Sequence, residues 1–345
     1  MLVINKLKPF YIDRNNKELR MGNFKDTGKL LCYENENILS VFENIVTPIS
    51  KKKLIDKVYT QTKINKVEIE ETIQYLIEEG FIIEQEKYHQ LIDNKNYNRQ
   101  NLFFNMISDD FIVYNNSFEN KKIMILGLGG IGSNAAIILS RAGFKNFILV
   151  DCDKVEISNL IRQFPYTSQD VGKLKTTCLY EKLKNDSNNI SIVNKKIQSI
   201  NDIEKEIIDA DFILCTLDKP MRKIRRLINS ICVLHKKPVL FCGFSEHVGM
   251  IGPFIVPGTT ACLMCIEKEM LETPLNNVEI VPSFGPLCLL ISSIACNEII
   301  NFYANYNKKN LTGKTLMFNF VTYKSKIIKW DKKKNCKECG CHDFK

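Results

Sequence analysis

Residues 121–164 read KKIMILGLGGIGSNAAIILSRAGFKNFILVDCDKVEISNLIRQF, and the fold follows from them. Ile123 to Leu126 is a short apolar run of the kind a buried parallel strand needs. It leads into Gly127-Leu-Gly129-Gly130-Ile-Gly132 and then a helical pattern starting near Ser133. Glycines at 127, 129 and 132 permit a tight strand-to-helix turn, close approach of the backbone to a phosphate, and close packing of helix on sheet. The unbonded N–H groups and positive dipole end of such a helix hold anions. A second strand, Phe147 to Val150, ends in Asp151, about 20 residues past the last glycine, where a carboxylate accepts hydrogen bonds from a ribose. Together these predict an α/β fold with a Rossmann-like, mostly parallel sheet and a nucleotide at its strand ends.

Dinucleotide oxidoreductases carry the same glycines, so the motif alone leaves a nicotinamide cofactor open. The residues beyond Asp151 favour a triphosphate. Asp153, Asn159, Arg162, Gln163 and Lys175 gather polar and cationic groups just past the second strand, where Arg and Lys can neutralise charge during transfer.

The run Gly-x-Gly-Gly-x-Gly, then Asp151-x-Asp153, Asn159-Leu-x-Arg162-Gln163 and Asp170-x-Gly172-Lys173-x-Lys175 resembles the superfamily of ThiF, the molybdopterin-synthase-adenylylating enzymes and the ubiquitin-activating enzymes. The resemblance implies a ThiF-type core that activates a carboxyl terminus by adenylation. It implies a nucleotide bound through Gly127, Gly129, Gly130, Gly132, Asp151, Asp153, Asn159 and Gln163, with Arg162 and Lys175 acting on the triphosphate. Tyr97-Asn98-Arg99-Gln100 resembles a Tyr-x-Arg-Gln segment that precedes the nucleotide domain in these enzymes, which implies Arg99 as an arginine finger supplied across a homodimer. The plainer reading of Arg99 is a surface residue in a linker.

A chain of 345 residues accommodates one large domain and a smaller one. Hydrophobic content of 45% and charged content of 25% suit a globular protein, no apolar stretch is expected to reach the length of a membrane span, and the N-terminus lacks a signal core. The expectation is a cytoplasmic protein without a membrane partner. The formal charge of +9 lies largely in lysine runs such as Lys51-Lys52-Lys53 and Lys332-Lys333-Lys334, which read as solvated surface rather than a nucleic-acid groove. Thirteen cysteines without a signal peptide point to reduced thiols and a metal rather than a disulfide framework.

Outward from the motif, residues 1–95 carry two helical patterns, Leu54, Ile55, Val58 and then Val67, Ile73, Leu76, Ile77. Glu79-Gly80 ends the second, and Phe81-Ile82-Ile83 is a short strand. That order predicts a small winged-helix-like domain. Glu68, Glu70, Glu71, Glu78, Glu79, Glu84 and Glu86 would repel DNA, so the expected ligand is a peptide, added as an extra strand at the wing. Residues 96–120 read as a linker with one helix, and 121–345 as the adenylyltransferase domain. After the motif, helices at 173–185, 203–208 and 221–234 alternate with strands at 190–193, 211–216 and 238–242. Antiparallel strands at 250–256, 315–321 and 324–329 come next, with a helix at 287–303 among them.

Asp218 falls just past the strand ending at Thr216, where a carboxylate can hold Mg²⁺ against substrate phosphates, and in the superfamily the matching Asp does so; its plainer role is an N-cap for the next helix. Thr273 to Pro286, with three prolines, reads as a loop able to cross the active site, and Cys288 is the thiol nearest to it. Cys262-Leu-Met-Cys265 and Cys336-Lys-Glu-Cys339 are two C-x-x-C knuckles that predict a structural four-thiolate zinc site, with Cys341 or His342 as substitute ligands.

The N-terminal module, the Tyr-x-Arg-Gln segment, Gly252-Pro253-x-x-Val256-Pro257-Gly258 and Asp218-Lys-Pro220 make the whole chain resemble the microcin C-type peptide adenylyltransferases, the MccB enzymes. That resemblance implies a short, Asn-terminated ribosomal peptide as substrate, ATP or alternatively CTP, and an acyl nucleotide that cyclises to a succinimide and ends as an N–P-linked peptide nucleotide. A carboxylate is already ionised at neutral pH, which agrees with the lack of an obvious His or Ser triad. Two other readings stand beside it: an activator of a ubiquitin-like or sulfur-carrier protein, and a nucleotide-sensing winged-helix regulator that binds DNA.

Overall fold

The computed structural model describes residues 1–7, 9–22, 29–33, 37–93, 97–107, 118–186, 189–217, 221–270 and 282–340. The chain forms two compact units, Met1–Val113 and Tyr114–Lys345.

The first unit opens with β1 (Leu2–Ile4), followed by three four-residue strands, β2 (Phe10–Asp13), β3 (Glu18–Met21) and β4 (Lys29–Cys32). These three form an antiparallel meander that the sequence pattern did not announce. Its first turn is set by Asp13, whose Oδ1 accepts the N–H groups of Asn15 and Asn16, both at 3.0 Å. Helices α1 (Asn37–Glu43), α2 (Lys51–Thr62) and α3 (Lys66–Glu78) come next. Ser50 and Asn65 cap α2 and α3 by accepting N–H groups of Lys53 and Val67, as good N-cap residues do. Strand β5 (Ile82–Glu84) then pairs antiparallel with β1, and α4 (Gln85–Ile92) and α5 (Asn98–Ile107) follow, packed on each other. The expected helix, helix and strand are present. Leu54 and Val58 of α2, Ile69, Ile73 and Leu76 of α3, and Phe42 and Phe81 make the core beneath them.

The second unit is built on one eight-stranded sheet. Chain order runs β6 (Lys122–Leu126), α6 (Gly132–Ala142), β7 (Asn146–Val150), α7 (Lys175–Leu183), β8 (Asn189–Val193), α8 (Glu204–Asp209), β9 (Phe212–Cys215), α9 (Met221–Leu234) and β10 (Val239–Ser245). Then come β11 (Val248–Ile255), α10 (Leu263–Met270), α11 (Gly285–Ala304), β12 (Lys314–Asn319) and β13 (Ser325–Lys329). In space the order is β13-β12-β11-β10-β9-β6-β7-β8. Strands β8, β7, β6, β9 and β10 are parallel, and β11 to β13 extend the sheet antiparallel. The parallel half therefore has the doubly wound arrangement, with strand order reversing between β6 and β9, the place where open α/β sheets bind ligands. Central strands read as continuous apolar runs because both faces are covered: Phe212, Ile213, Leu214 and Cys215 are all fully buried.

Helix α11 corrects one expectation. At 20 residues it is long and apolar enough to cross a membrane, so a stretch of that length does exist in the chain. Here it is a core helix. Leu287, Ile291, Ala295 and Ile299 are buried, Ser292 Oγ reaches the carbonyl of Ile131 at 2.9 Å, and the helix packs on α6, β10 and β11.

Candidate active site

At the end of β6 the chain turns through Gly127, whose φ of +89° belongs to glycine. Gly132 is required by space: a Cβ there would lie 1.9 Å from the carbonyl oxygen of Gly127. Gly130 is pressed from the other side, since its Cβ would stand 2.8 Å from Cys288 Sγ at the start of α11. Gly129 alone among the four faces open room, with Gln163 Nε2 at 3.9 Å as its nearest contact. Among the described residues, the N–H groups of Gly129, Gly130, Ile131 and Gly132 have no acceptor, which leaves a row of donors at the N-terminus of α6.

Asp151 stands one strand away and is tied into this turn. Its Oδ2 accepts the Leu128 N–H at 2.7 Å and its Oδ1 the Asp153 N–H at 2.8 Å. Burial raises its pKa, while Lys175 and these two N–H groups pull the other way. Lys175 is itself buried, 7% exposed at the side chain, with Nζ 3.2 Å from Asp153 Oδ2. It is brought there by a short ladder in which Lys154 bridges Leu174 and the Lys175 N–H reaches the Asp153 carbonyl at 3.0 Å. The ligating atoms of Asp151, Cys152 and Asp153 lie close enough to hold a metal, but the Lys175 ammonium already supplies a cation at Asp153.

The segment after Asp153 closes the other flank. Asn159 is buried and holds its own turn, its Oδ1 accepting the Glu156 N–H at 3.2 Å and its carbonyl taking the N–H groups of Arg162 and Gln163. Arg162 Nη1 donates to Ser158 O at 2.7 Å, and Asn134 of α6 donates to the Arg162 carbonyl at 3.3 Å. The Arg162 guanidinium also lowers the Cys288 thiol, although burial dominates and pushes it up to about 11. At that pKa Cys288 is a neutral thiol packed on the glycine turn rather than a nucleophile. Gln163 is 2% exposed, and its Oε1 has no partner among the described residues.

Thus the structure brings Gly127, Gly129, Gly130, Gly132, Asp151, Asp153, Asn159, Arg162, Gln163 and Lys175 together at the carboxyl ends of β6 and β7. Two neighbours escaped the sequence reading. Thr216 Oγ1 lies 2.8 Å from the Gly127 carbonyl and 3.1 Å from that of Leu126, across the point where strand order reverses. The buried Tyr166 hydroxyl donates to Leu128 O at 3.1 Å. A Thr ending a strand and a lone Tyr give no local signal of these bonds. Arg99 is exposed in the first turn of α5. Asp218, residues 273–281 of the expected crossover loop Thr273–Pro286, Cys341 and His342 lie outside the described residues, and the loop's end is taken up by α11 from Gly285.

The two knuckles meet. Cys262 Sγ lies 4.0 Å from Cys265 Sγ and 3.6 Å from Cys336 Sγ, while Cys265 and Cys339 are 3.4 Å apart. Zinc with sulfur ligands at 2.3 Å places tetrahedral sulfurs about 3.8 Å apart, so the four residues fit such an ion. Burial opposes ionisation of Cys336, yet the N–H groups of Cys339 and Glu338 and the neighbouring thiols bring its pKa down to about 7.

Comparison with known proteins comes to the same place. The ThiF family profile matches residues 95–341. Molybdopterin-synthase adenylyltransferase of Escherichia coli (strain K12) is 28% identical over 226 residues, 65% of this chain and 89% of that protein. A crystal structure of E. coli MccB with AMPCPP and MccA superposes with a TM-score of 0.81 at 23% identity, covering 98% of this chain and 99% of that one. E. coli MccB with succinimide gives 0.81 at 24% identity, over 99% of each. The similarity to MccB takes in residues 1–94, which the ThiF profile leaves out.

Proposed function

The chain belongs to the ThiF family, and from that premise we propose that it is an ATP-dependent adenylyltransferase acting on the C-terminal carboxylate of a short peptide. The observation that carries the reading is the row of unbonded N–H groups at the start of α6, flanked by Lys175 and Arg162 and facing the ribose-binding position of Asp151. Such a site can hold a nucleoside triphosphate with its phosphates on the helix terminus. The peptide carboxylate attacks the α-phosphorus, the bond to the bridging oxygen breaks, and pyrophosphate leaves. No general base is needed, because the nucleophile is already an anion. Rate then comes from alignment and from neutralising the triphosphate's charge by Arg162 and Lys175. Asp218 is the residue we assign to Mg²⁺, which when bound would offset phosphate charge.

A peptide rather than a carrier protein is favoured by the N-terminal unit, most of which precedes the ThiF profile and has its counterpart in MccB. Its strand β5 pairs with β1 on one side only, leaving an edge to which an extended peptide could add. By analogy with MccB, the terminal residue would be Asn and the product an N–P-linked peptide nucleotide, with ATP or CTP as donor. We further propose a homodimer. Ile157, Ile161, Phe164 and Phe284 are each at least half exposed beside the nucleotide turn, an apolar surface that a second copy of the chain would cover.

The test is pyrophosphate release from purified protein, ATP and Mg²⁺ on adding N-acetylated heptapeptides that end in Asn. Release with these and not with the C-terminal amides supports the proposal. Release only with a Gly-Gly-terminated carrier protein replaces it with the carrier-activating reading.

A further inference from the structure

Arg225, on α9, is a half-buried cation that pairs with no carboxylate among the described residues. Its Nη2 donates to the Cys242 carbonyl at 2.9 Å, and its guanidinium lies 5.8 Å from the centre of the Phe241 ring. Its Nε is buried with no acceptor, and no carboxylate pairs with it among the described residues. The nearby thiols do not serve instead, because burial pushes Cys215 up to about 11 and Cys242 up to about 12, which keeps both neutral. Arg stays protonated at any physiological pH, and a charge whose Nε is shut away from water, with four donors to spare, favours an anion at its open end. The backbone makes way for it: a Cβ on Gly243 would lie 2.8 Å from Nη2.

The sheet register fixes the side of the site on which this cation stands. Leu126, Cys215 and Phe241 are level across β6, β9 and β10, so Gly127, Thr216 and Cys242 form the next row, just past the last parallel pairings. Arg225 therefore occupies the row of the nucleotide turn, two strands from β6, or roughly 10 Å away. Asp151 ends β7, on the opposite side of β6. A nucleotide whose ribose meets Asp151 and whose phosphates lie on the glycine turn fills the β6–β7 side and leaves the β10 side to the other reactant.

We propose that Arg225 is the receptor for the carboxylate of the acyl substrate, holding it on the β10 flank of the nucleotide turn before attack. This rests on the adenylation reading above. The probe is a pool of N-acetylated heptapeptides ending in Asn, with the other positions randomised, and the same pool ending in Asn-amide. Retention of each is measured on protein loaded with an ATP analogue whose α–β bridge cannot be cleaved. Wild type should hold the acid pool at least about tenfold better than the amide pool. In R225Q that ratio should fall close to one while analogue affinity stays within about twofold, and in G243A, which crowds Nη2 without removing the charge, it should fall as well. An unchanged ratio in both variants overturns the assignment. So does an R225Q variant that keeps the ratio but binds the analogue tenfold more weakly, since the anion would then be a phosphate. If wild type retains neither pool, the peptide reading itself falls and takes this assignment with it.

Discussion

Gly132 and Gly129 belong to the same motif yet answer to different physics. A methyl at Gly132 meets the Gly127 carbonyl at 1.9 Å and Thr216 Oγ1 at 3.0 Å, both fixed by the sheet, so the turn must open. G132A should lose about 1–3 kcal/mol of stability, seen by thermal or denaturant unfolding, and nucleotide binding with it. At Gly129 the nearest contact is at 3.9 Å, and the added methyl instead occupies the room a phosphate would use. G129A should keep its stability within about 0.5 kcal/mol and still weaken ATP binding in calorimetry. A spacing of glycines was enough to predict the turn, because backbone conformation is a local matter. Arg225 could not be found that way. Nothing in Met-Arg-Lys-Ile-Arg-Arg separates one cation from its neighbours until folding shows that Arg225 has its Nε buried without an acceptor.

Among the elements, long and periodic stretches were legible and short ones were not. The helix expected at 221–234 is found as Met221–Leu234, and the strands of the parallel half lie within a residue or two of expectation at most ends, since apolar runs covered on both faces leave little ambiguity. The β2-β3-β4 meander was missed because each strand has only four residues, and β2 buries none of its own, with Tyr11 62% accessible, so no apolar alternation marks it. Two C-x-x-C pairs were visible for the opposite reason: a ligand pair must be close in sequence to share an ion, and only the meeting of the two pairs needed the fold. Metal analysis should find about one zinc per chain in addition to any Mg²⁺. Chelation should lower Tm by at least about 5 °C, and C336S should show the same lowered Tm with no further response to chelator.

For the whole molecule, the arginine finger that the resemblance implies at Arg99 would make a prediction that only an assembly can meet. R99A and K175A should each be inactive, whereas an equal mixture of the two, exchanged into mixed dimers, should regain about a quarter of wild-type pyrophosphate release, because half the dimers then carry one intact site of two. No recovery would place the finger within its own chain. Whole-chain organisation was only partly legible: two domains could be predicted from length and motif position, but where copies meet depends on surface that no motif encodes. The sheet itself narrows that choice. Its outermost strands are β8 and β13; Lys195 and Lys196 come after the first, and Lys326 and Lys329 lie on the second, all exposed. Lys195 is ion-paired with Asp202, but Lys196, Lys326 and Lys329 place positive charge along both seams, which disfavours edge-to-edge pairing of one copy with the next. The homodimer proposed above would then form through a surface away from these seams, and such an arrangement would resist growth into fibrils.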